Sequence, residues 1–157
     1  MNKNGNDKND VVKNTTQNTR LFLYSDGGSR GNPGPSACGF IIQDENGKVI
    51  YEGGEYLGVT TNNQAEYQGV RLALEKAIEI GGRDIVFHAD SQLVVNQLTG
   101  VYKIKNKDLW PIYERIKELA AEFDRIEFKH ILREYNGRAD AMVNKILNDH
   151  ERSESLR

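Results

Sequence analysis

The sequence predicts an α/β fold: one mixed five-stranded sheet in the element order βββαβααβα, with helices on both faces. Three observations predict it. Residues 21–57 read as apolar-rich runs cut by clusters of Gly, Pro, Asp and Asn, the pattern of short strands and tight turns. From residue 64 the apolar period becomes helical, and strand-like and helical stretches then alternate. Strands joined by short turns form an antiparallel meander, whereas strands separated by helices join a sheet in parallel through crossovers. A sheet built this way buries both faces only if helices cover them.

In chain order, Leu21 to Ser25 is the first strand and Ala37 to Gln43 (ACGFIIQ) the second. DENG, Asp44 to Gly47, is a turn, and KVIYEGGEYL is the third strand, with a bulge expected at Gly53-Gly54. Gln64 to Ile80 sets Val70, Ala73, Leu74, Ala77 and Ile78 on one helical face, and Gly81-Gly82 stops the helix. DIVFHAD is the fourth strand, and SQLVVNQLTG is a short helix ended by Gly100. NKDLWPIYERIKELAAEF is a longer helix, with Leu109, Ile112, Ile116 and Leu119 on its apolar face and Pro111 in the first turn, where the missing N–H costs nothing. Trp110 is expected in the core. RIEFKHIL is the fifth strand and GRADAMVNKILND the closing helix.

The 157 residues suffice for one domain. We expect a disordered Asn-rich tail over 1–19, a folded domain over 20–150 and a frayed end over 151–157. The net charge is −2, and residues 20–150 hold 16 basic and 19 acidic groups, so binding of nucleic acid must rest on local chemistry and not on bulk charge. The single cysteine, Cys38, excludes an internal disulfide framework and fits a reducing, cytoplasmic setting. There is no run of 18 apolar residues and no apolar signal-peptide core, so no membrane partner is expected. A monomer is expected.

Four carboxylates stand at element boundaries. Asp26 ends the first strand, Asp90 ends the fourth, Glu66 opens the long helix, and Asp140 lies in the first turns of the last one. If strands one and four are parallel neighbours, Asp26 and Asp90 leave the same sheet edge, where ligands of open α/β sheets gather. Each acid also has an ordinary reading. Glu66 lies three residues after Asn63 and could complete a capping box. Asp90 precedes Ser91 and could serve the helix start. Asp140 could answer the helix dipole behind a cap at Asn136, and Asp26 could be a turn acid. Together these readings require four acids to reach one rim by accident. Two carboxylates about 5 Å apart repel by roughly 3 kcal/mol at an effective dielectric near 20, a heavy cost for a domain of about 5–15 kcal/mol net stability. No lysine or arginine adjoins Asp26, Glu66 or Asp90 in sequence. Divalent cations would relieve the repulsion, and an all-oxygen donor set indicates Mg²⁺ or Mn²⁺.

The motifs YSDGGSRGNPGP, TTNNQAEYQGVRLALEKA, ADSQLVVNQL and REYNGRADAMVN resemble the type 1 ribonuclease H family, in its compact archaeal and bacterial branch, over Leu21 to Leu147. The resemblance implies the ribonuclease H-like fold, with Asp26, Glu66, Asp90 and Asp140 as catalytic residues and metal ligands. It implies cleavage of the RNA strand of RNA·DNA hybrids with two Mg²⁺ ions, or Mn²⁺ in their place, leaving 3′-OH and 5′-phosphate ends. One ion would activate water and the other stabilise the leaving oxygen. Gly28, Ser29, Asn32, Thr61, Asn62, Asn63 and Gln92 are the implied substrate contacts. His130, ten residues before Asp140, matches a histidine that aids proton transfer or product release; its other reading is a strand-end histidine. Arg133, in the RExN pattern, would hold a phosphate or steady the transition state, or else form a surface ion pair. The small residues after Asp26 leave room for a sugar-phosphate backbone and for reading of the 2′-OH in the minor groove. A nucleoside-triphosphate loop is excluded, because no Lys-Ser/Thr follows and a strand, not a helix, comes next. The other classes left open are a non-catalytic nucleic-acid-binding module and a nuclease acting mainly on double-stranded RNA.

The chain also departs from some relatives. Between Gly100 and Trp110 it has only VYKIKNKDL, where they insert a basic helix and loop. Lys103, Lys105 and Lys107 are a thin substitute, and no hybrid-binding domain is expected before the catalytic part. Weak, salt-sensitive substrate binding is expected.

Overall fold

A computed structural model describes residues 20–156. The tail 1–19 and Arg157 lie outside the described residues. The chain forms β1 (Arg20–Ser29), β2 (Gly34–Gln43), β3 (Val49–Thr60), α1 (Asn62–Glu79), β4 (Asp84–Ala89), α2 (Gln92–Leu98), α3 (Trp110–Ala120), β5 (Arg125–His130) and α4 (Gly137–Ser155), with short 3₁₀ turns at Lys107–Leu109 and Arg133–Tyr135. The sheet order is β3-β2-β1-β4-β5; β1–β2 and β2–β3 pair antiparallel, and β1–β4 and β4–β5 pair parallel. β1 is the central strand. Its alternation sends Leu21 and Leu23 into a fully buried core shared with Tyr67, Val70, Leu74, Ile85, Phe87 and Ile116. Burying each such side chain contributes about 1.5–3 kcal/mol. α1 covers this face over β1 and β2, α2 reaches β4 and β5, and α3 packs on α1. α4 covers the other, where Val143 and Leu147 pack against Ala37 with Tyr56 and Ile146 around them.

Four details differ from the sequence reading, each for a local reason. β1 runs past Asp26 to Ser29, and β2 starts at Gly34, because Gly27 and Gly28 stay paired with Cys38 and Ala37; glycines carry no hydrophobic pattern by which a strand could be recognised. The bulges of β3 fall at Ile50 and Leu57, where the register skips a residue, and not at Gly53-Gly54. Those glycines pair regularly; a Cβ on Gly54 would lie 2.4 Å from the Cys38 carbonyl oxygen and 2.6 Å from Ile146 Cδ1, so the glycine admits the close approach of α4. α4 continues through the segment expected to fray, as far as Ser155. The His150 ring stacks on Tyr56 at 3.8 Å and Glu151 pairs with Arg30 at 2.8 Å, which ties these turns to the domain. Trp110, expected in the core, is 42% exposed and rests edge-on against Tyr113. It sits one residue, about 100° of helix, off the Leu109–Ile112–Ile116–Leu119 stripe, and Leu109 takes the buried place.

Candidate active site

β1 and β4 run parallel up to the pair Ser25–Ala89, so Asp26, still paired with β2, and Asp90, just past the end of β4, lie side by side where the parallel pairing stops. Glu66 is brought to them by a close helix–strand crossing. A Cβ on Gly27 would stand 2.3 Å from the Ala65 carbonyl carbon and 2.4 Å from the Glu66 nitrogen, so only glycine lets the α1 backbone lie against β1 there. α1 is capped by Thr61, which forms a reciprocal capping box with Gln64. Glu66 therefore has no capping duty, and its Oε2 is buried without a hydrogen-bond partner. Asp90 is likewise free of the cap of α2, because the Ser91 hydroxyl accepts from Val94 N at 3.2 Å; Ser91 also lines the hollow beside Glu66 and favours its charged form.

Asp140 arrives from the first turns of α4, and Asn136 is what docks that helix. Expected as a cap, Asn136 makes no side-chain cap bond. It is 2% exposed, and its Nδ2 donates to the Ser25 carbonyl oxygen and to Asp90 Oδ2, both at 2.8 Å, while its backbone carbonyl accepts from Asp140 N at 3.1 Å. One buried amide thus joins β1 and the end of β4 to the start of α4, adjoining three of the four acids. Sequence reasoning missed it because its partners lie 111 and 46 residues away, and an Asn before a helix already has a sufficient local explanation.

Asp26 and Glu66 stand between two adjoining hollows, one shared with Asp90 and Ser91, the other with Asp140, Arg133, Arg30 and Asn62. Burial pushes the Asp26 carboxyl up to about 8, helped by the charges of Asp90 and Asp140 and by a hydrogen bond shared with Asp140. Burial pushes Glu66 up to about 7, with the Asp90 charge adding to it and the Ser91 hydroxyl and the Arg133 charge opposing it. A cluster of this kind favours protons or cations over bare charge. Among the described residues no three His, Cys, Asp or Glu side chains are already drawn in to metal-cage spacing; the four acids share a rim without forming one knot. The donor set still fits a hard divalent cation: it is all carboxylate oxygen, and one oxygen, on Glu66, is buried and unpartnered.

The other predicted residues divide. Gly28 and Ser29 line the Asp140 hollow; a Cβ on Gly28 would meet only Val143, at 3.7 Å, so this glycine leaves open surface while Gly27 serves the helix crossing. Asn62 lines the same hollow, but its Oδ1 accepts from Ser29 N at 2.8 Å, and its backbone N–H donates to Asn32 Oδ1 at 3.1 Å. Asn32 and Asn62 therefore brace the β1–β2 turn against α1, which Thr61 caps. Asn63 lies in a separate groove with Leu93, Tyr102, Lys103 and Lys105, and Gln92 is exposed at the start of α2. His130 is exposed at the end of β5, paired with Ala89. It is on the rim, one strand beyond Asp90. Arg133 is exposed on its 3₁₀ turn and faces the acids.

An acid-lined cleft at the carboxyl ends of central parallel strands defines a class of metal-dependent hydrolase. Comparison with known proteins narrows it. Residues 24–146 match the model of the family described as reverse transcriptase-like. Ribonuclease HI of Halobacterium salinarum is 45% identical over 130 residues, covering 83% of this chain and 65% of that protein. The crystal structure of RNase H1 from the same archaeon superposes with a TM-score of 0.81 at 45% identity, covering 83% of this chain and 98% of that one. LC11-RNase H1, solved in complex with an RNA/DNA hybrid, has a TM-score of 0.76 at 40% identity, covering 80% of this chain and 94% of that one. The chain belongs to the type 1 ribonuclease H family. It spans 35% to 65% of the length of the first curated relatives it matches.

Proposed function

We propose that this chain is a divalent-metal-dependent endoribonuclease that hydrolyses the RNA strand of RNA·DNA hybrids, leaving 3′-OH and 5′-phosphate ends. The observation that carries the reading is the rim of four carboxylates from four separate elements, two of them with raised pKa, in a chain of this family. LC11-RNase H1, a relative with the same fold, has been solved on an RNA/DNA hybrid, which supports the same substrate class here.

Asp26, Glu66, Asp90 and Asp140 would hold the cations, Mg²⁺ by preference and Mn²⁺ as substitute, with Asp26 placed centrally among the other three. The cations supply Lewis-acid chemistry, activating water and stabilising the leaving oxygen. The protein's own groups do the rest. Asn136 and Ser91 keep Asp90 and Glu66 in place before substrate arrives. Arg133 offers a guanidinium to a phosphate oxygen. The turn of Gly28 to Asn32, braced by Asn62, presents main-chain groups and small side chains to the minor groove. His130, exposed at the end of β5 beside the end of β4, would be the group that helps the product leave.

The test is incubation of labelled RNA·DNA, RNA·RNA and DNA·DNA duplexes with and without Mg²⁺. The hybrid should be cut in its RNA strand, only with the cation, and Asp26→Asn should abolish cutting. Equal cutting of RNA·RNA would move the substrate class; an uncut hybrid with either cation would overturn the reading.

A further inference from the structure

The hollow that holds Asp26, Glu66 and Asp140 has a volume of about 320 Å³ and carries two guanidinium groups among its lining residues, Arg133 and Arg30. Arg30 belongs to none of the expected contacts, yet its base is firmly braced. Its backbone N–H donates to the Pro35 carbonyl at 2.8 Å. The neighbouring Ser29 donates its N–H to Asn62 Oδ1 at 2.8 Å and its hydroxyl to the Thr60 carbonyl at 3.1 Å. The side chain is one-third exposed. Its Nη1 lies 2.8 Å from Glu151 Oε1 and its Nη2 3.5 Å from Asn144 Oδ1, while Asn144 Nδ2 lies 3.3 Å from Asp140 Oδ2. A single amide therefore separates the guanidinium from one of the four acids.

A strand whose reacting phosphate sits at the acids must carry its next phosphates along the hollow. The acids themselves repel those phosphates, so the hollow needs cationic groups beyond the bound metals. Arg30 has the chemistry: a planar guanidinium grips phosphate oxygens in pairs. Its present partner is a weak competitor. Glu151 is 58% exposed, and an ion pair in that setting is easily exchanged.

We propose that Arg30 is a backbone-phosphate subsite for the RNA strand beside the acid cluster, and that Glu151, on the last turns of α4, is the carboxylate it releases when substrate binds. The proposal rests on the hybrid-cleavage reading for the identity of the strand. Arg30 acts on binding and Glu151 sets how readily it is available.

The experiment compares wild type with Arg30→Ala, Arg30→Lys and Glu151→Gln. Steady-state cleavage is paired with fluorescence anisotropy of a labelled RNA·DNA hybrid at several salt concentrations. Arg30→Ala should raise KM and Kd about 5- to 10-fold, lower kcat no more than about twofold, and flatten the slope of log Kd against log salt by about one unit, the loss of one phosphate contact. Arg30→Lys should fall between the two, since it keeps the charge and loses the fork. Glu151→Gln should tighten binding about two- to threefold. A melting curve for each variant checks folding; loss of an ion pair whose carboxylate is mostly exposed should move it little. An unchanged salt slope in Arg30→Ala would overturn the proposal. So would a fall in kcat with an increased Mg²⁺ requirement at constant Kd, since Arg30 would then act through Asn144 on Asp140. If wild type binds the hybrid and does not cut it, the enzymatic reading fails, and the salt slope still decides whether Arg30 holds a phosphate.

Discussion

Asn136 shows how much one buried side chain can organise. Replacing it with Ala would remove both Nδ2 donors and leave the Ser25 carbonyl and Asp90 with unmet hydrogen bonds. Stranded buried partners cost about 1–3 kcal/mol, so Asn136→Ala should lower stability by about 2 kcal/mol in urea denaturation. It should also weaken cation binding, measured by calorimetry, because Asp90 and α4 lose their common tie. A variant that is destabilised but binds the cation like wild type would reduce Asn136 to a packing residue. The raised pKa of Asp26 and Glu66 makes a second prediction at this scale. Below about pH 3 both carboxyls are protonated in the folded chain and mostly so in the unfolded chain, and the cluster costs almost nothing. As pH rises, the unfolded chain ionises first, while the folded state keeps its protons until about 7 for Glu66 and about 8 for Asp26. The folded state then binds more protons, so metal-free stability falls as pH rises from about 4 through 8. Asp26→Asn should raise the Tm in EDTA by about 3 °C or more at pH 8 and by much less near pH 3, below the unfolded value of 3.8; a lower Tm at pH 8 would contradict an acid cluster.

At the scale of elements, the site depends on two helices pressed against one strand, and the sequence carries this only in code. Gly27 and Gly28 look alike in the run after Asp26, yet their neighbours differ. A Cβ at Gly27 would overlap the α1 backbone at 2.3 Å, whereas one at Gly28 would make an ordinary contact at 3.7 Å. Gly27→Ala should therefore displace α1, costing about 1–3 kcal/mol of overpacking and cutting activity at least tenfold by moving Glu66. Gly28→Ala should keep the melting temperature and raise KM. Paired urea denaturation and kinetics separate the two, and equal effects would refute the assignment. The start of α1 was legible as a helix start, but its cap was not. Asn63 with Glu66 and Thr61 with Gln64 both have capping-box spacing, and the choice was made by where Glu66 is carried when α1 crosses β1. Trp110 was misplaced for a similar reason, because one position of helical phase separates a core residue from an exposed one.

For the whole molecule, the balance of charge predicts how it meets its substrate. Residues 20–150 are net acidic by composition, so binding must rely on a few placed cations. Each phosphate contact contributes about 0.9 to the slope of log affinity against log salt. With Arg30 and Arg133 alone, raising salt from about 50 to 200 mM should weaken hybrid binding about tenfold. Anisotropy at constant Mg²⁺ checks it, and salt-independent binding would mean that affinity comes from elsewhere.

The element order, the sheet with its parallel half, the helical faces and the four acids were all legible in the sequence by itself. Each follows from local periodicity, from turn chemistry or from motifs of a few residues. Tertiary structure alone decided which glycine meets a helix and which meets solvent, that Asn136 ties the acids together instead of capping, that α4 runs on to stack His150 over Tyr56, and that Arg30 enters the cleft. These all depend on groups far apart in the chain being brought within a few ångströms, and such distances are set by packing the whole domain, not by the identity of near neighbours.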